Sequence, residues 1–174
     1  MTAATVSVAE SNGTTPTVTA SITNTNMGST DAVNLVAADY PITAGNNSFE
    51  KWQRFDVTNM GTSSKIKNLK VWASAGLSAN CTHKTNARES AYAGAETFDT
   101  VNGPLASDRS ATYHYTQTMP TSTPTGANLG IAGALAGELT STGFSDYLVA
   151  QIQTTASATA GTSVTMNYQY DEVA

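Results

Sequence analysis

This sequence has little charge and a single cysteine. Only 12% of its 174 residues are charged and the net charge is −5, whereas about a quarter of the residues in an average soluble domain are charged. An acidic chain with few Lys and Arg residues lacks the clustered positive charge that phosphate contacts need. We therefore expect no nucleic-acid partner. Because Cys81 is the only cysteine, a disulfide within the chain is excluded.

Long apolar runs are also missing. The longest apolar-looking stretch, residues 129–139, is too short and too rich in glycine to cross a bilayer. Residues 1–20 contain neither a basic segment nor an apolar core of the kind that begins a secretory signal. The sequence predicts no membrane association and synthesis in the cytoplasm without a signal peptide.

Motifs that carry chemistry are absent from the sequence. It contains no nucleophile elbow, no phosphate-binding glycine loop ending in Lys-Ser/Thr and no calcium loop. Cys81 and His83 would share one face of a strand, but a zinc site needs three or four ligands and the only other histidine is His114. We interpret all three as ordinary strand residues. The prediction is a protein without enzymatic activity, cofactor or metal.

The clearest positive signal is the alternation of apolar and polar residues near the end of the chain. Ser145–Thr155 and Gly161–Glu172 both alternate with a period of two residues, which is typical of a strand with one buried face. Two such segments in succession predict an antiparallel pair. The parity assigns Tyr168 and Tyr170 to the core, and the pair Asp171-Glu172 to a solvated strand end.

Further strand candidates precede this pair, separated by polar turns. Phe49–Asn59 has aromatic residues at helical spacing as well as strand alternation, and we choose a strand because the segment ends in the turn signal Asn-Met-Gly. Gly126–Gly143 lacks alternation and predicts a long ordered excursion. The other candidates are Ala4–Glu10, Pro16–Thr23, Lys65–Ala75, Asn80–Thr85 and Ala111–Met119. The segment Asp31–Tyr40 is mixed, and its alanines allow a short helical turn as the alternative to a strand.

About eight short strands with little helix predict an all-β fold. The expected architecture is a two-sheet β-sandwich of antiparallel strands that is jelly-roll-like, with an immunoglobulin-like arrangement as the alternative. Residues 16–174 would form a single β-sandwich domain. Residues 1–15 would form either an edge strand or an extended N-terminal arm. The lysines of the only basic cluster, Lys65, Lys67 and Lys70, are interpreted as the solvent face of a strand.

Three segments resemble a group of small virion proteins of tailed bacteriophages. They are Ser48–Ala75 (SFEKWQRFDVTNMGTSSKIKNLKVWASA), Pro120–Gly133 (PTSTPTGANLGIAG) and the end of the chain from Gly143 (GFSDYLVAQIQTTASATAGTSVTMNYQYDEV). Together they cover 73 of the 174 residues, about two-fifths of the chain. The resemblance implies a structural component of the virion, made in the host cytoplasm, that has no catalytic residues to transfer.

Within that group, the resemblance implies a capsid decoration (cement) protein that stabilises the head through contacts with the capsid lattice. The expected partners are the major capsid protein or another virion protein, and a homotrimer is the expected oligomer. The alternative is a tail, baseplate or head-fibre module that binds a receptor or glycan. If residues 1–15 form an arm, Thr5, Val6 and Val8 are its candidate partner contacts, because an extended segment can add to a neighbouring sheet edge.

Overall fold

The computed structural model of the protein describes residues 2–13, 18–88, 117–159, 161 and 163–174. Within these ranges the chain forms strands connected by turns and irregular segments, and no helix is present. The strands are β1 (Thr5–Glu10), β2 (Lys51–Asn59), β3 (Lys65–Ala73), β4 (Cys81–Arg88), β5 (Gln117–Thr118), β6 (Gly143–Phe144), β7 (Tyr147–Thr154) and β8 (Met166–Val173).

The larger sheet has the order β1-β2-β7-β4-β5, and β6 also pairs with β2. All of its pairs are antiparallel. The register places Val8 opposite Phe55 and Glu10 opposite Gln53. Because side chains alternate between the two faces of a strand, the side chains of these four residues lie on the same face of the sheet.

The smaller sheet consists of β3 and β8, also antiparallel. Leu69, Val71 and Ala73 of β3 are buried, as their shared parity predicts. Asn68, with a φ of 54°, lies between the two stretches of regular pairing and interrupts the register. Such an extra residue bends a strand and increases its twist.

The two sheets enclose one apolar core. The ring of Phe55 in the larger sheet meets the ring of Tyr168 in the smaller sheet edge to face, with centroids 5.6 Å apart, and Tyr170 lies 6.4 Å from the same ring. Edge-to-face pairs are the favoured arrangement of aromatic rings. The assignment of Tyr168 and Tyr170 to the core is confirmed.

The outer edge of β3 is bonded to the irregular segment between residues 120 and 139. Asn128 is buried, and its side-chain amide forms the two hydrogen bonds that the backbone of a neighbouring strand would form. Its Oδ1 accepts from the backbone N–H of Val71 at 2.9 Å, and its Nδ2 donates to the carbonyl oxygen of Val71 at 2.8 Å. Ile66 forms a separate antiparallel bridge with Leu139. The backbone of β3 is therefore hydrogen-bonded on both of its sides.

The all-β class and the two antiparallel sheets are confirmed by the structure. The predicted strand at 16–23 is wrong for the described residues 18–23, where only Thr19 forms a bridge and Ser21 has a φ of 54°. Asp31–Tyr40 likewise contains turns instead of a strand, and Asn34 has a φ of 48°. A positive φ in these non-glycine residues breaks the extended backbone. Residues 111–116 of the predicted strand Ala111–Met119 lie outside the described residues.

Candidate functional site: a buried ion-pair network

A fully buried ion pair lies between the first two strands. Nζ of Lys51 is 2.7 Å from Oε1 of Glu10, and the two side chains are 2% and 0% exposed. Nζ also donates to the carbonyl oxygen of Ala32. Charged residues are almost never fully buried unless they are paired, because taking two ions out of water costs several kcal/mol each. This pair is the most unusual chemical feature of the core.

Two further side chains connect the ion pair to the smaller sheet. Nε2 of Gln53 donates to Oε2 of Glu10 at 3.3 Å, and the hydroxyl of Tyr168 donates to Oε1 of Gln53 at 2.7 Å. Burial raises the pKa of Glu10, while the charge and hydrogen bond of Lys51 act to lower it. We call Glu10, Lys51, Gln53 and Tyr168 the ion-pair network.

A second set of polar contacts supports the network from the neighbouring loops. Nδ2 of Asn12 donates to Oδ1 of Asp31 at 2.8 Å and to the carbonyl oxygen of Glu50 at 2.6 Å. Oδ1 of Asn12 accepts from the backbone N–H of Trp52 at 2.9 Å. The indole Nε1 of Trp52 donates to Oε2 of Glu50 at 3.0 Å. These contacts fix the end of β1 and the start of β2, which are the two segments that carry the ion pair.

Sequence reasoning did not identify the ion-pair network, although the signal for it was present. Glu10 has the same parity as Val6 and Val8, and Lys51 has the same parity as Phe55. The alternation therefore predicts that the buried face of each strand includes one charged residue. One acidic and one basic residue at core positions of adjacent strands are the expected signature of a buried pair.

A cavity of about 550 Å³ opens where β4 begins and β7 ends. Its volume is in the range of small-molecule sites, about 300–1,000 Å³. The turn at Gly45 is fixed to the end of β7 by hydrogen bonds from its N–H to Thr154 and Thr155. None of the described lining residues is charged. The lining residues are Met27, Ala37, Ala38, Pro41, Ile42, Ala44, Leu77, Ser78, Cys81, Ile152, Thr154, Ala158, Thr159 and Gly161.

Cys81 and His83 lie on one face of β4, opposite Thr154 and Ile152 of β7. The third residue of the conceivable metal set, His114, lies outside the described residues. Within the described ranges, no group of three or more His, Cys, Asp or Glu side chains is placed to hold a metal ion. His83 is 8% exposed, and burial lowers its pKa to about 4.

The candidate arm residues Thr5, Val6 and Val8 lie in β1, at the edge of the larger sheet. They are paired with β2, and Val8 also accepts a hydrogen bond from the backbone N–H of Ile22 through its carbonyl oxygen. Preceding them, the N–H of Ala4 donates to the carboxylate of Glu172 in β8 at 3.1 Å. The structure thus describes this segment as an edge strand bonded to both sheets.

A cluster of Arg54, the exposed Phe144 and the buried Tyr147 lies on the face of β2 opposite to that of Phe55. The guanidinium carbon of Arg54 is 3.8 Å from the ring centre of Phe144, which is 53% exposed, and 5.4 Å from that of Tyr147. Nε of Arg54 is also paired with Asp56 at 2.7 Å. The arginine is therefore held by an ion pair and by cation–π contacts.

The three lysines of the basic cluster are each about half-buried on β3. Nζ of Lys65 pairs with Oε2 of Glu138 at 2.6 Å, and Nζ of Lys70 donates to the carbonyl oxygen of Thr125 at 3.4 Å. In the part of the chain that the structure describes, no helix has the length and hydrophobicity needed to span a membrane. No protein-family model, curated protein or solved structure matches the chain.

Proposed function

We propose that the protein is a non-enzymatic structural component of a tailed-bacteriophage virion, and that it decorates the capsid and stabilises the head by contacts with the lattice. The observation that best supports this proposal is the position in the fold of the three segments that resemble phage virion proteins. Ser48–Ala75 contains β2 and β3, and the end of the chain from Gly143 contains β6, β7 and β8. Pro120–Gly133 supplies Asn128, which caps β3. The resemblance therefore covers both strands of the smaller sheet and β2, β6 and β7 of the larger sheet.

The strand order supports a jelly-roll arrangement as part of this proposal. In an eight-stranded jelly roll, the second strand lies beside the seventh, the seventh beside the fourth and the fourth beside the fifth, while the third and eighth are neighbours in the facing sheet. The sheets here have the orders β2-β7-β4-β5 and β3-β8. The placement of β1 beside β2, instead of beside β8, is the main departure. Jelly rolls recur in viral capsid proteins and in lectins.

We propose that the protein assembles as a homotrimer on the capsid lattice. A symmetric oligomer presents several copies of one contact, so individually weak contacts with the lattice add up. Light scattering coupled to size-exclusion chromatography tests the oligomer directly. We expect three times the chain mass of 18.0 kDa, and a monomer at working concentration would contradict this part of the proposal.

The location of the protein in intact particles tests the function. Antibodies against the purified protein, applied to tailed-phage particles whose genome encodes this chain, should label the head evenly in electron micrographs. Particles lacking the gene are the control, and they should lose the label and release DNA at a lower temperature. Purified particles that carry none of the protein would refute a virion role.

A tail, baseplate or head-fibre module that binds a glycan or receptor is the second candidate. It is favoured by the exposed side chains of Tyr40, 45% exposed, and Val36, 55% exposed, next to lining residues of the cavity, because exposed aromatic and apolar surface often marks a binding site. Antibody label confined to the tail or to fibres, together with a hit on a glycan array, would replace the first candidate by this one.

A further inference from the structure

We propose that Glu10 and Lys51 become joined by an amide bond between Cδ of Glu10 and Nζ of Lys51. The buried ion pair is then the precursor of a covalent cross-link between β1 and β2. This inference is independent of the proposed virion role, because it concerns only the interior of the chain.

The geometry brings the two reacting groups together without any movement of the fold. Nζ of Lys51 lies 2.7 Å from Oε1 of Glu10, and Oε1 is bonded to the carbon that the nitrogen would attack. Attack on a carbonyl carbon begins from contacts of about 3–3.5 Å. The antiparallel pairing of Glu10 with Gln53, two residues from Lys51, holds both side chains on one face. Proximity of this kind replaces the encounter of two separate molecules.

The reaction needs both groups in their neutral forms, and burial favours the neutral form of Glu10. In water an ammonium and a carboxylate both stay charged and do not condense. Here both side chains are excluded from solvent, and desolvation raises the pKa of Glu10. Transfer of one proton from Nζ to the carboxylate gives an amine and a carboxylic acid, which removes two buried charges.

The atoms of the ion pair are sufficient for the reaction. The lone pair of Nζ forms the bond to Cδ, and the bond between Cδ and Oε1 breaks. Oε1 leaves as water with two of the three ammonium protons, and the third proton stays on the amide nitrogen. The net charge of the pair is zero before and after, so no oxidant, metal or other co-reactant is required.

Neighbouring groups are placed to assist this step. Nε2 of Gln53 donates to Oε2 of Glu10, the oxygen that carries the negative charge of the tetrahedral intermediate, and fixed donors at such an oxygen stabilise it. The carbonyl oxygen of Ala32 accepts from Nζ of Lys51 and orients the nitrogen. Tyr168 holds Gln53 in place through its hydroxyl.

The chain contains a matched internal control. Lys65 and Glu138 pair at 2.6 Å, within 0.1 Å of the distance in the buried pair, but their side chains are 42% and 34% exposed. Water reaches this pair and the pKa of Glu138 is lowered by its hydrogen bond with Lys65, so the two groups should not condense. Burial is therefore the variable that distinguishes the reactive pair from the unreactive one.

The test is the mass of the folded, aged and then denatured wild-type protein. The cross-linked form is lighter than the sequence mass by one water molecule. Residues 1–50 contain no Lys or Arg, so trypsin normally makes its first cut after Lys51. Cross-linked protein resists this cut and yields one peptide that ends at Arg54 and lacks one water, while the cut after Lys65 proceeds normally. Fragmentation of that peptide should place the loss on Glu10 and Lys51.

The double variant E10M/K51M is the control for water loss elsewhere, such as cyclisation of an aspartate. It replaces the pair by apolar side chains of similar length, a change that buried ion pairs often tolerate, and circular dichroism shows whether it folds. Its mass should equal the sequence mass. A wild-type fraction that lacks one water supports the cross-link if fragmentation places the loss at Glu10 and Lys51. The proposal would be overturned if the wild type had the full sequence mass and were cut after Lys51. It would also be overturned if fragmentation placed the loss of water at other residues.

Discussion

Replacing the buried His83 with leucine should make the protein less sensitive to acid. The imidazole is 8% exposed, and neither ring nitrogen has a hydrogen-bond partner among the residues that the structure describes. Burial lowers the pKa of His83 from 6.5 to about 4, because the charged ring cannot be solvated. The folded protein therefore keeps this histidine neutral at pH values where the unfolded chain protonates it.

The size of the effect follows from the pKa difference. Below pH 6.5 the unfolded state binds a proton that the folded state does not, so acid favours unfolding. Each pKa unit corresponds to about 1.4 kcal/mol. Over the interval from 6.5 to about 4, the free energy of unfolding should fall by about 3 kcal/mol through His83 alone. Below the folded-state pKa, this residue causes no further loss.

Urea denaturation of wild type and H83L at about pH 7 and about pH 4 measures this quantity. The carboxylates contribute equally to both proteins, so they cancel in the difference. We expect the wild type to lose about 3 kcal/mol more than H83L between the two pH values. At neutral pH the variant should be close to the wild type in stability, since leucine removes two unsatisfied polar atoms. Parallel pH profiles for the two proteins would refute the reasoning.

Two other substitutions test the backbone of the fold. N128A should cost about 2–4 kcal/mol in urea unfolding, because it removes the two hydrogen bonds that the Asn128 side chain makes with the buried backbone of Val71; N167A, at a half-buried position of β8, should cost less than about 1 kcal/mol, and equal costs would contradict the role of the amide. G61A should lower the melting temperature by several degrees, since Gly61 has a φ of 58° and an added Cβ would meet backbone atoms at 2.2 Å. G76A is its control, with no atom within 4 Å of an added Cβ, and equal melting temperatures for the two variants would count against this account.

Much of the fold could be predicted from alternation alone. In β8, apolar and polar side chains alternate from Met166 to Asp171, and in β3 buried and half-buried positions alternate on either side of Asn68, so pattern and burial agree there. The pattern failed at Ser21 and Asn34, where a positive φ turns the chain although the surrounding residues favour strands. Asparagine is enriched at positive φ, whereas serine adopts it less often, and contacts such as the hydrogen bond from Thr23 N–H to the side chain of Asn34 hold the turned backbone.

The candidate site was less predictable than the fold. Glu10 ends β1 and Lys51 begins β2, and a charged residue at the end of an apolar strand face usually marks the point where the strand leaves the core. Their burial depends on a partner about 40 residues away in the chain, which local patterns do not encode. The hydrogen bonds between Asn128 and Val71 could not be predicted either, because an isolated asparagine in a glycine-rich segment resembles a turn residue.

The pairing of β3 with β8 has a consequence for how the chain folds. These strands are separated by about ninety residues of sequence, and among the described residues β8 is the only strand beside β3 in the smaller sheet. A nascent chain on the ribosome therefore cannot pair that edge of β3 until β8 has emerged. Closing so long a loop before the pair forms makes folding slow. During that delay β3 presents an unpaired strand edge, which can pair with another chain, so dilute or chaperone-assisted refolding should give higher yields than concentrated refolding.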